Sequence, residues 1–131
     1  MIYFKNDCIN VYWDEPIKAV CGEWLRYAEG DEYRDGLKAG VDLIAQKGSS
    51  RWLADTRNLG PITQEDQNWT TEYLIPKVVK AGMRSTAIVI PRRVIAKMGL
   101  NKILSKVGDN EFATSHFDKL EDARKWLGSQ K

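Results

Sequence analysis

The chain has 131 residues, of which 43% are hydrophobic and 29% charged, and its formal net charge is +2. This composition is typical of a folded domain and excludes a disordered or fibrous chain. The apolar runs are too short to span a bilayer and residues 1–7 lack the features of a secretion signal, so we expect one cytoplasmic domain over residues 1–131 without a transmembrane segment.

The charges are distributed unevenly along the chain. Residues 1–72 carry 13 acidic and 8 basic side chains, whereas residues 73–108 carry eight basic side chains and no acidic one. The basic side chains of the second segment are Lys77, Lys80, Arg84, Arg92, Arg93, Lys97, Lys102 and Lys106. Such a concentration marks either an anion-facing surface or a solvated face whose acidic partners come from elsewhere in the fold.

Two runs near the start of the chain, residues 8–13 and 17–24, are rich in β-branched and aromatic side chains. They predict an antiparallel hairpin that turns at residues 14–15, with Pro16 at the first position of the second strand. A symmetric register would place Cys8 opposite Cys21, about 5 Å away, which allows a disulfide bond. We expect two reduced and packed thiols instead, as in a reducing cytoplasm.

The next part of the chain alternates helix and strand. Residues 31–47 have apolar side chains at helical spacing, acidic residues at the start and a glycine just after the end, which predicts a helix. A short strand, 51–56, and a polar loop lead to Thr63, the expected N-cap of a second helix. Pro76 removes a hydrogen-bond donor within that helix and predicts a kink or break near residues 74–75.

The remaining elements complete an α/β order. The apolar run 85–90 predicts a strand buried on both faces. Residues 92–107 predict an amphipathic helix, split or loosened at Gly99, that faces the core with its large apolar side chains. These are Val94, Ile95, Met98, Leu100, Ile103, Leu104 and Val107. After turn chemistry at residues 108–110, an edge strand, 111–117, and a helix capped by Asp118 give the order β-β-α-β-α-β-α-β-α.

Several segments of this chain carry a family resemblance. They are Trp52-Leu53-Ala54-Asp55-Thr56-Arg57, Gln64-Glu65-Asp66-Gln67-Asn68-Trp69, Gly82 ahead of a strand that ends in Val89-Ile90-Pro91, and Phe117-Asp118 ahead of Ala123 and Trp126-Leu127. Together they resemble small bacterial STAS-like proteins of the sporulation anti-sigma-factor-antagonist type, which are also grouped with CRAL-TRIO-like lipid-binding folds. The similarity spans nearly the whole chain.

The resemblance implies a mostly parallel sheet with helices mainly on one face, a cytoplasmic protein and often a homodimer. In true anti-sigma-factor antagonists, a serine just after an aspartate at the start of the second helix is phosphorylated, which switches the binding of a partner kinase. In this chain Thr63 is the only hydroxyl residue at that helix start, and an Asp-Ser-Ser-Gly segment is absent.

The loop after strand 51–56 contains three candidate site residues. Asp55 either holds a ligand, orients Arg57 or accepts N–H groups of its own loop, and we expect the last of these. Arg57 either grips a phosphate or carboxylate beside the positive end of the following helix or forms an ion pair with Asp55. Thr63 is expected to be an N-cap first and a phosphorylation site second.

The second helix contributes three further candidates. Trp69 and Tyr73 are four residues apart and hence on one helix face, where they either belong to the core, as such pairs more often do, or line an apolar pocket or a partner surface. Lys77 supplies a cation for an anionic ligand. Ile95 and Met98, with flanking lysines, fit either an anionic membrane surface or a helix that covers a sheet.

The sequence gives little support to the hypothesis of an enzyme. His116 is the sole histidine, which excludes the usual histidine-rich metal sites, and no glycine-rich phosphate loop, nucleophile elbow or Cys–His pairing is present. We therefore predict a non-enzymatic domain without a metal or a cofactor. Nucleic acid is not expected as a partner, because a recognition motif and a strongly basic overall balance are both missing.

Two functions remain open from the sequence. The first is regulatory association with a protein partner, or with a second copy of the chain, through the loop 55–63 and the following helix start. The alternative is a small anionic or lipid-like ligand near Arg57, Trp69, Tyr73 and Lys77. An exposed apolar patch over a solid core favours the partner, and a pocket of several hundred cubic ångströms behind Trp69 favours the ligand.

Overall fold

The fold is built on a six-stranded sheet. The computed structural model describes residues 2–106 and 112–130 of the chain. The strands, which lie in chain order across the sheet, are β1 (Ile2–Lys5), β2 (Ile9–Asp14), β3 (Ala19–Trp24), β4 (Arg51–Asp55), β5 (Ser85–Val89) and β6 (Ala113–Phe117). The helices are α1 (Asp31–Lys47), α2 (Gln64–Trp69), α3 (Ile75–Ala81), α4 (Val94–Ser105) and α5 (Leu120–Gly128).

The pairing of the strands decides where the helices lie. The first three strands pair antiparallel and β3 to β6 pair parallel. Because each parallel strand lies beside its predecessor, right-handed crossovers place α1, α2–α3 and α4 on the same face. On the opposite face, Ala123 and Leu127 of α5 pack against Leu53 and Ala87. The predicted α/β fold class is confirmed, and β1 is an additional strand that the sequence reasoning missed.

The predicted register of the hairpin is wrong. Residues 15–18 form the turn, in which the N–H of Lys18 donates to the Glu15 carbonyl at 3.2 Å. Lys18 has a positive φ of 54°. Pro16 lies inside this turn because its fixed φ suits a turn and its missing N–H does not suit a ladder.

The change of register separates the two cysteines. Cys21 pairs with Tyr12 rather than with Cys8. Cys8 packs into the core under α1, whereas Cys21 packs into the smaller core under α5, so the sheet lies between them. Both thiols are buried and free, which confirms the expectation of reduced cysteines.

Helix α1 lies unusually close to the sheet. Its predicted bounds are confirmed, and Gly48 ends it with a left-handed φ of 61°. A Cβ atom added at Gly36 would lie 2.3 Å from Ile9 Cγ2, and one added at Gly40 would lie 2.1 Å from Trp52 Cη2. The two glycines therefore allow the helix backbone to approach the side chains of β2 and β4.

The second helical unit continues through Pro76 instead of breaking. A π-helical turn, Thr70–Leu74, joins α2 directly to α3, and Pro76 lies in the first turn of α3. The change of hydrogen-bond pattern occurs at the expected place, but the wider turn accommodates the missing donor, so that a break is not needed.

Two details of the last third of the chain differ from expectation. Gly99 does not split α4, because it is the point at which this helix packs closely against Ile62 and Gln67. Asp118 does not cap α5, since residues 118–119 form the connection between β6 and the other face of the sheet, and Lys119 takes the N-cap position without a side-chain bond. The predicted turn at 108–110, together with residues 107 and 111, lies outside the described residues.

Replacement of Gly40 by alanine tests the close approach of α1. Helix propensity alone predicts a gain of about 1 kcal/mol in the free energy of unfolding. We expect a net loss of about 1–3 kcal/mol in urea titrations, because the new methyl group overlaps Trp52. Ala45→Gly, at an exposed site of the same helix, measures the propensity effect alone. A more stable Gly40→Ala variant would refute the close packing.

The buried thiol of Cys21 predicts a loss of stability in alkaline solution. Burial, assisted by the negative charge of Asp14, raises its pKa from 9.0 to about 12. The unfolded chain therefore releases this proton first, so the contribution is intact below pH 9 and disappears between pH 9 and 12. The unfolding free energy of the native chain should fall about 1 kcal/mol per pH unit more steeply than that of Cys21→Ala. Parallel curves would contradict the assignment.

Candidate functional site

The carboxyl ends of β3, β4 and β5 meet at one edge of the sheet, which we call the carboxyl edge. The loops that leave these strands lead to the starts of α1, α2 and α4 at this edge. The longest well-ordered loop there, residues 56–63, is anchored by Leu59 and Ile62, which are 1% and 5% exposed. Because its apolar side chains are buried, the loop presents a fixed surface.

Asp55 and Arg57 form a bidentate ion pair. The guanidinium donates from Nε to Oδ1 of Asp55 at 2.9 Å and from Nη2 to Oδ2 at 2.6 Å. The carboxylate, whose residue is 7% exposed, also accepts the backbone N–H of Arg57 at 3.3 Å. The hydrogen bonds to Asp55 raise the pKa of Arg57. Asp55 thus accepts an N–H group of its own loop and also forms the ion pair with Arg57, as the two structural alternatives predicted. An anion at Arg57 would therefore also meet the negative charge of Asp55.

Thr63 and Asp66 fix the start of α2. Thr63 Oγ1 accepts the Asp66 N–H at 3.1 Å, which confirms the predicted N-cap. The Asp66 carboxylate accepts the Gly30 N–H at 2.9 Å and the Arg34 Nε–H at 3.0 Å. Through these bonds Asp66, which is only 1% exposed, holds the starts of α1 and α2 together. The sequence shows only an acidic residue in a first turn, with no signal of its distant partners.

Aromatic rings form a continuous row from the core to the surface. Trp24 stacks on Tyr33 at 5.3 Å between ring centroids, Tyr33 meets Trp69 edge-on at 6.2 Å, and Trp69 stacks on Tyr73 at 5.4 Å. Trp69 is half-buried, and Tyr73 is 41% exposed. Trp69 therefore packs against the core, as such residues more often do, whereas Tyr73 lies at the surface. Lys77 lies over the Tyr73 ring, with its Nζ 5.4 Å from the centroid.

The six residues predicted for the site do not converge. Asp55 lies two residues after Leu53 in β4 and therefore points to the same face, which α5 covers, and Arg57 is paired with Asp55. Trp69 packs against the core on the opposite face, with Tyr73 beside it. Thr63 lies between these groups as a helix cap. A single ligand in contact with Arg57 and with the aromatic pair would have to reach both faces of the sheet.

The predicted core face of α4 is confirmed at Leu100 and Ile103 but is wrong at the start of the helix. Val94 is 72% exposed, and Ile95 and Met98 are each 55% exposed. The buried positions besides Ile103 are Ala96 and Gly99. Small residues allow α4 to approach Ile62 and Gln67 closely, and this contact turns the larger apolar side chains at its start toward solvent. We call Val94, Ile95 and Met98 the α4 stripe.

The α4 stripe adjoins the loop at the carboxyl edge. Arg92 donates its backbone N–H to the Arg57 carbonyl at 3.3 Å and its Nη1–H to Asn58 Oδ1 at 3.2 Å. Within the described residues, Arg92, Arg93 and Lys97 form no salt bridge. The stripe is thus an exposed apolar patch bordered by cations, and the sequence signal for it was the absence of acidic residues from 73–108.

Comparison with known proteins identifies no relative: no family model, no curated protein and no solved structure matches this chain. None of the described helices has the length and apolar character needed to cross a membrane. Over residues 2–106 and 112–130, no group of three or more His, Cys, Asp or Glu side chains is placed to hold a metal ion.

Removal of the Asp66 carboxylate tests the connection between α1 and α2. Asp66→Ala leaves the Gly30 N–H and the Arg34 guanidinium without their acceptor, so we expect a loss of about 3 kcal/mol in the free energy of unfolding. Glu65→Ala is the matched control, because that carboxylate is 88% exposed and 3.9 Å from the same arginine. Its effect should stay within about 0.5 kcal/mol, and equal losses would refute the role of Asp66.

Proposed function

We propose that this chain is a non-enzymatic, cytoplasmic binding domain that regulates a protein partner through the carboxyl edge of its sheet. The contact comprises the loop 55–63, the start of α2 and the adjoining α4 stripe. The observation that carries the proposal is this stripe, in which three apolar side chains are more than half exposed beside three cations. Exposed apolar residues in a cluster are a common mark of interaction surfaces.

The charge of this surface favours one kind of partner. Arg92, Arg93 and Lys97 attract acidic side chains, while Val94 and its neighbours in the stripe lose contact with water when apolar side chains cover them. A second copy that docked by a two-fold axis through the stripe would bring its own cations against these three. A different protein, with acidic and apolar residues on its contacting segment, is therefore the better fit.

Membership of the STAS-like family of the anti-sigma-factor-antagonist type forms part of this proposal. Its support is the mixed sheet with α1 to α4 on one face, which agrees with the architecture that the resemblance implies. A phosphate on Thr63 would be stabilised by the helix start and opposed by the adjacent Glu65 and Asp66. The alternative of an anionic ligand at Arg57 has weaker support, because Asp55 occupies that guanidinium.

Site-specific photo-crosslinking tests the contact surface. The crosslinking residue p-benzoylphenylalanine replaces Ile95 in one variant and Ile2 in another, two positions that are equally exposed at 55%. In cells that express the chain, we expect one discrete protein adduct at position 95 and none at position 2. Arg92→Glu with Arg93→Glu should abolish the adduct. In a lysate of the same cells, the yield of the adduct should fall as the salt concentration rises, because exposed charges are screened.

Three results would contradict this assignment. Equal adducts at both positions, or none at position 95, would show that the stripe is not a specific contact. An adduct of twice the mass of the chain would identify a second copy as the occupant. Sedimentation of the native chain, but not of Met98→Glu, with vesicles rich in anionic phospholipid would replace the protein partner by a membrane surface.

A further inference from the structure

A cavity of about 110 Å³ lies between the sheet and the helices, on the face opposite α5. Its floor is formed by Ala54 of β4 with Thr86 and Ile88 of β5, and its walls by Ile75 of α3 with Leu100 and Leu104 of α4. We call it the α3–α4 cavity. None of the six residues predicted for a site lines it.

The cavity exists because the helices above it pack on other neighbours. α3 packs mainly against α1 and the π-helical turn, and α4 packs mainly against α2, so neither helix fills the space above β4 and β5. The floor residue Ala54 is too small to fill that space. Ala54, Ile75, Leu100 and Leu104 all remain partly exposed, which shows that the cavity opens to solvent between the two helices.

The lining determines what such a cavity can hold. None of the described residues that line it carries a charge, and most of the surface they contribute comes from aliphatic and aromatic groups. Thr56 and Thr70 also line it, but their hydroxyls donate to the carbonyls of Val89 at 2.6 Å and Asp66 at 2.7 Å. Among the described residues, none hydrogen-bonds to the Thr86 hydroxyl or to the indole N–H groups of Trp24 and Trp52, which also line the cavity. Of these groups, the Thr86 hydroxyl belongs to the floor.

Water and ions fit this environment poorly. A water molecule held in the cavity needs about two to four polar partners, and of the described floor residues Ala54, Thr86 and Ile88 only Thr86 has a polar side chain. An anion would lose its hydration without meeting a compensating charge. By contrast, an apolar cavity of about 150 Å³ is known to stay dry and to bind benzene. The volume and the lining therefore favour a small neutral molecule.

We propose that the α3–α4 cavity binds a neutral, mainly apolar molecule of about six to eight non-hydrogen atoms, with one polar group that hydrogen-bonds to Thr86. The site is separate from the partner surface on the outer side of α4, and the proposal does not depend on the proposed function. Benzene and phenol are suitable probes, since they differ by the one hydroxyl group that Thr86 would recognise.

The first test measures the melting temperature of the full chain with each probe. At ten times Kd, we expect either probe to raise Tm by roughly 3–8 °C, and we expect phenol to bind more tightly than benzene. Ala54→Leu fills the cavity and should abolish both shifts. Methyl resonances of Ile88, Leu100 and Leu104 should move with the probes, whereas those of Leu127, on the other face, should not.

Thr86→Val tests the polar contact without a change of shape. This variant should bind benzene as the native chain does and lose about tenfold in affinity for phenol. Thr114→Val is the matched control, because Thr114 pairs with Thr86 across the sheet but is exposed and outside the cavity lining. It should leave both affinities unchanged.

Several outcomes would overturn the proposal. These are an absence of any Tm or methyl shift with the native chain, equal Tm rises in Ala54→Leu, and methyl shifts spread over both faces of the sheet. Equal losses of phenol affinity in Thr86→Val and Thr114→Val would overturn the assignment of the polar contact. If Ala54→Leu does not fold, the methyl shifts of the native chain with Thr86→Val decide the question.

Discussion

The order of the strands constrains everything that is built on the sheet. Neighbouring strands lie about 4.8 Å apart, whereas packed helices need about 8–10 Å. The three crossovers between β3 and β6 all occupy one face, so three helical units compete for a surface that is four strands wide. The chain relieves this crowding in two ways: α1 extends over the antiparallel strands β1 and β2, and α4 packs mainly on α2 and the π-helical turn rather than on the sheet.

The position of α4 away from the sheet explains two unusual features of this domain, the α3–α4 cavity and the exposed α4 stripe. On its inner side, the helix leaves the α3–α4 cavity above β4 and β5, and on its outer side it leaves the α4 stripe in water. A cavity of about 110 Å³ leaves its apolar lining without packing partners on one side, which lowers the stability of the fold. Because native domains are stable by only about 5–15 kcal/mol, such a loss is easier to understand in a binding site than in inert packing.

Local patterns predicted most elements, and the failures share a physical cause. The spacing of apolar residues was sufficient for α1 and β5, and the Thr63 cap depends on neighbours three residues away. The register of the hairpin depends on the positive φ of Lys18 in the turn, which the sequence did not predict. Asp66 binds Gly30, 36 residues earlier, and the buried face of α4 was decided by Gly99 and its tertiary contacts rather than by its largest side chains. Such long-range contacts leave no periodic signal.

Helix α4 contributes to both proposed sites, the α3–α4 cavity and the α4 stripe, and so connects them physically. Leu100 and Leu104 line the cavity, the α4 stripe is exposed to solvent, and Gly99 between them packs against Ile62 of the loop 55–63. A Cβ added at Gly99 would lie 3.4 Å from Ile62 Cβ, so α4 and that loop are in direct contact. A cavity ligand therefore alters partner affinity only to the extent that it prefers one position of α4, and linkage requires the partner to alter ligand affinity by the same factor.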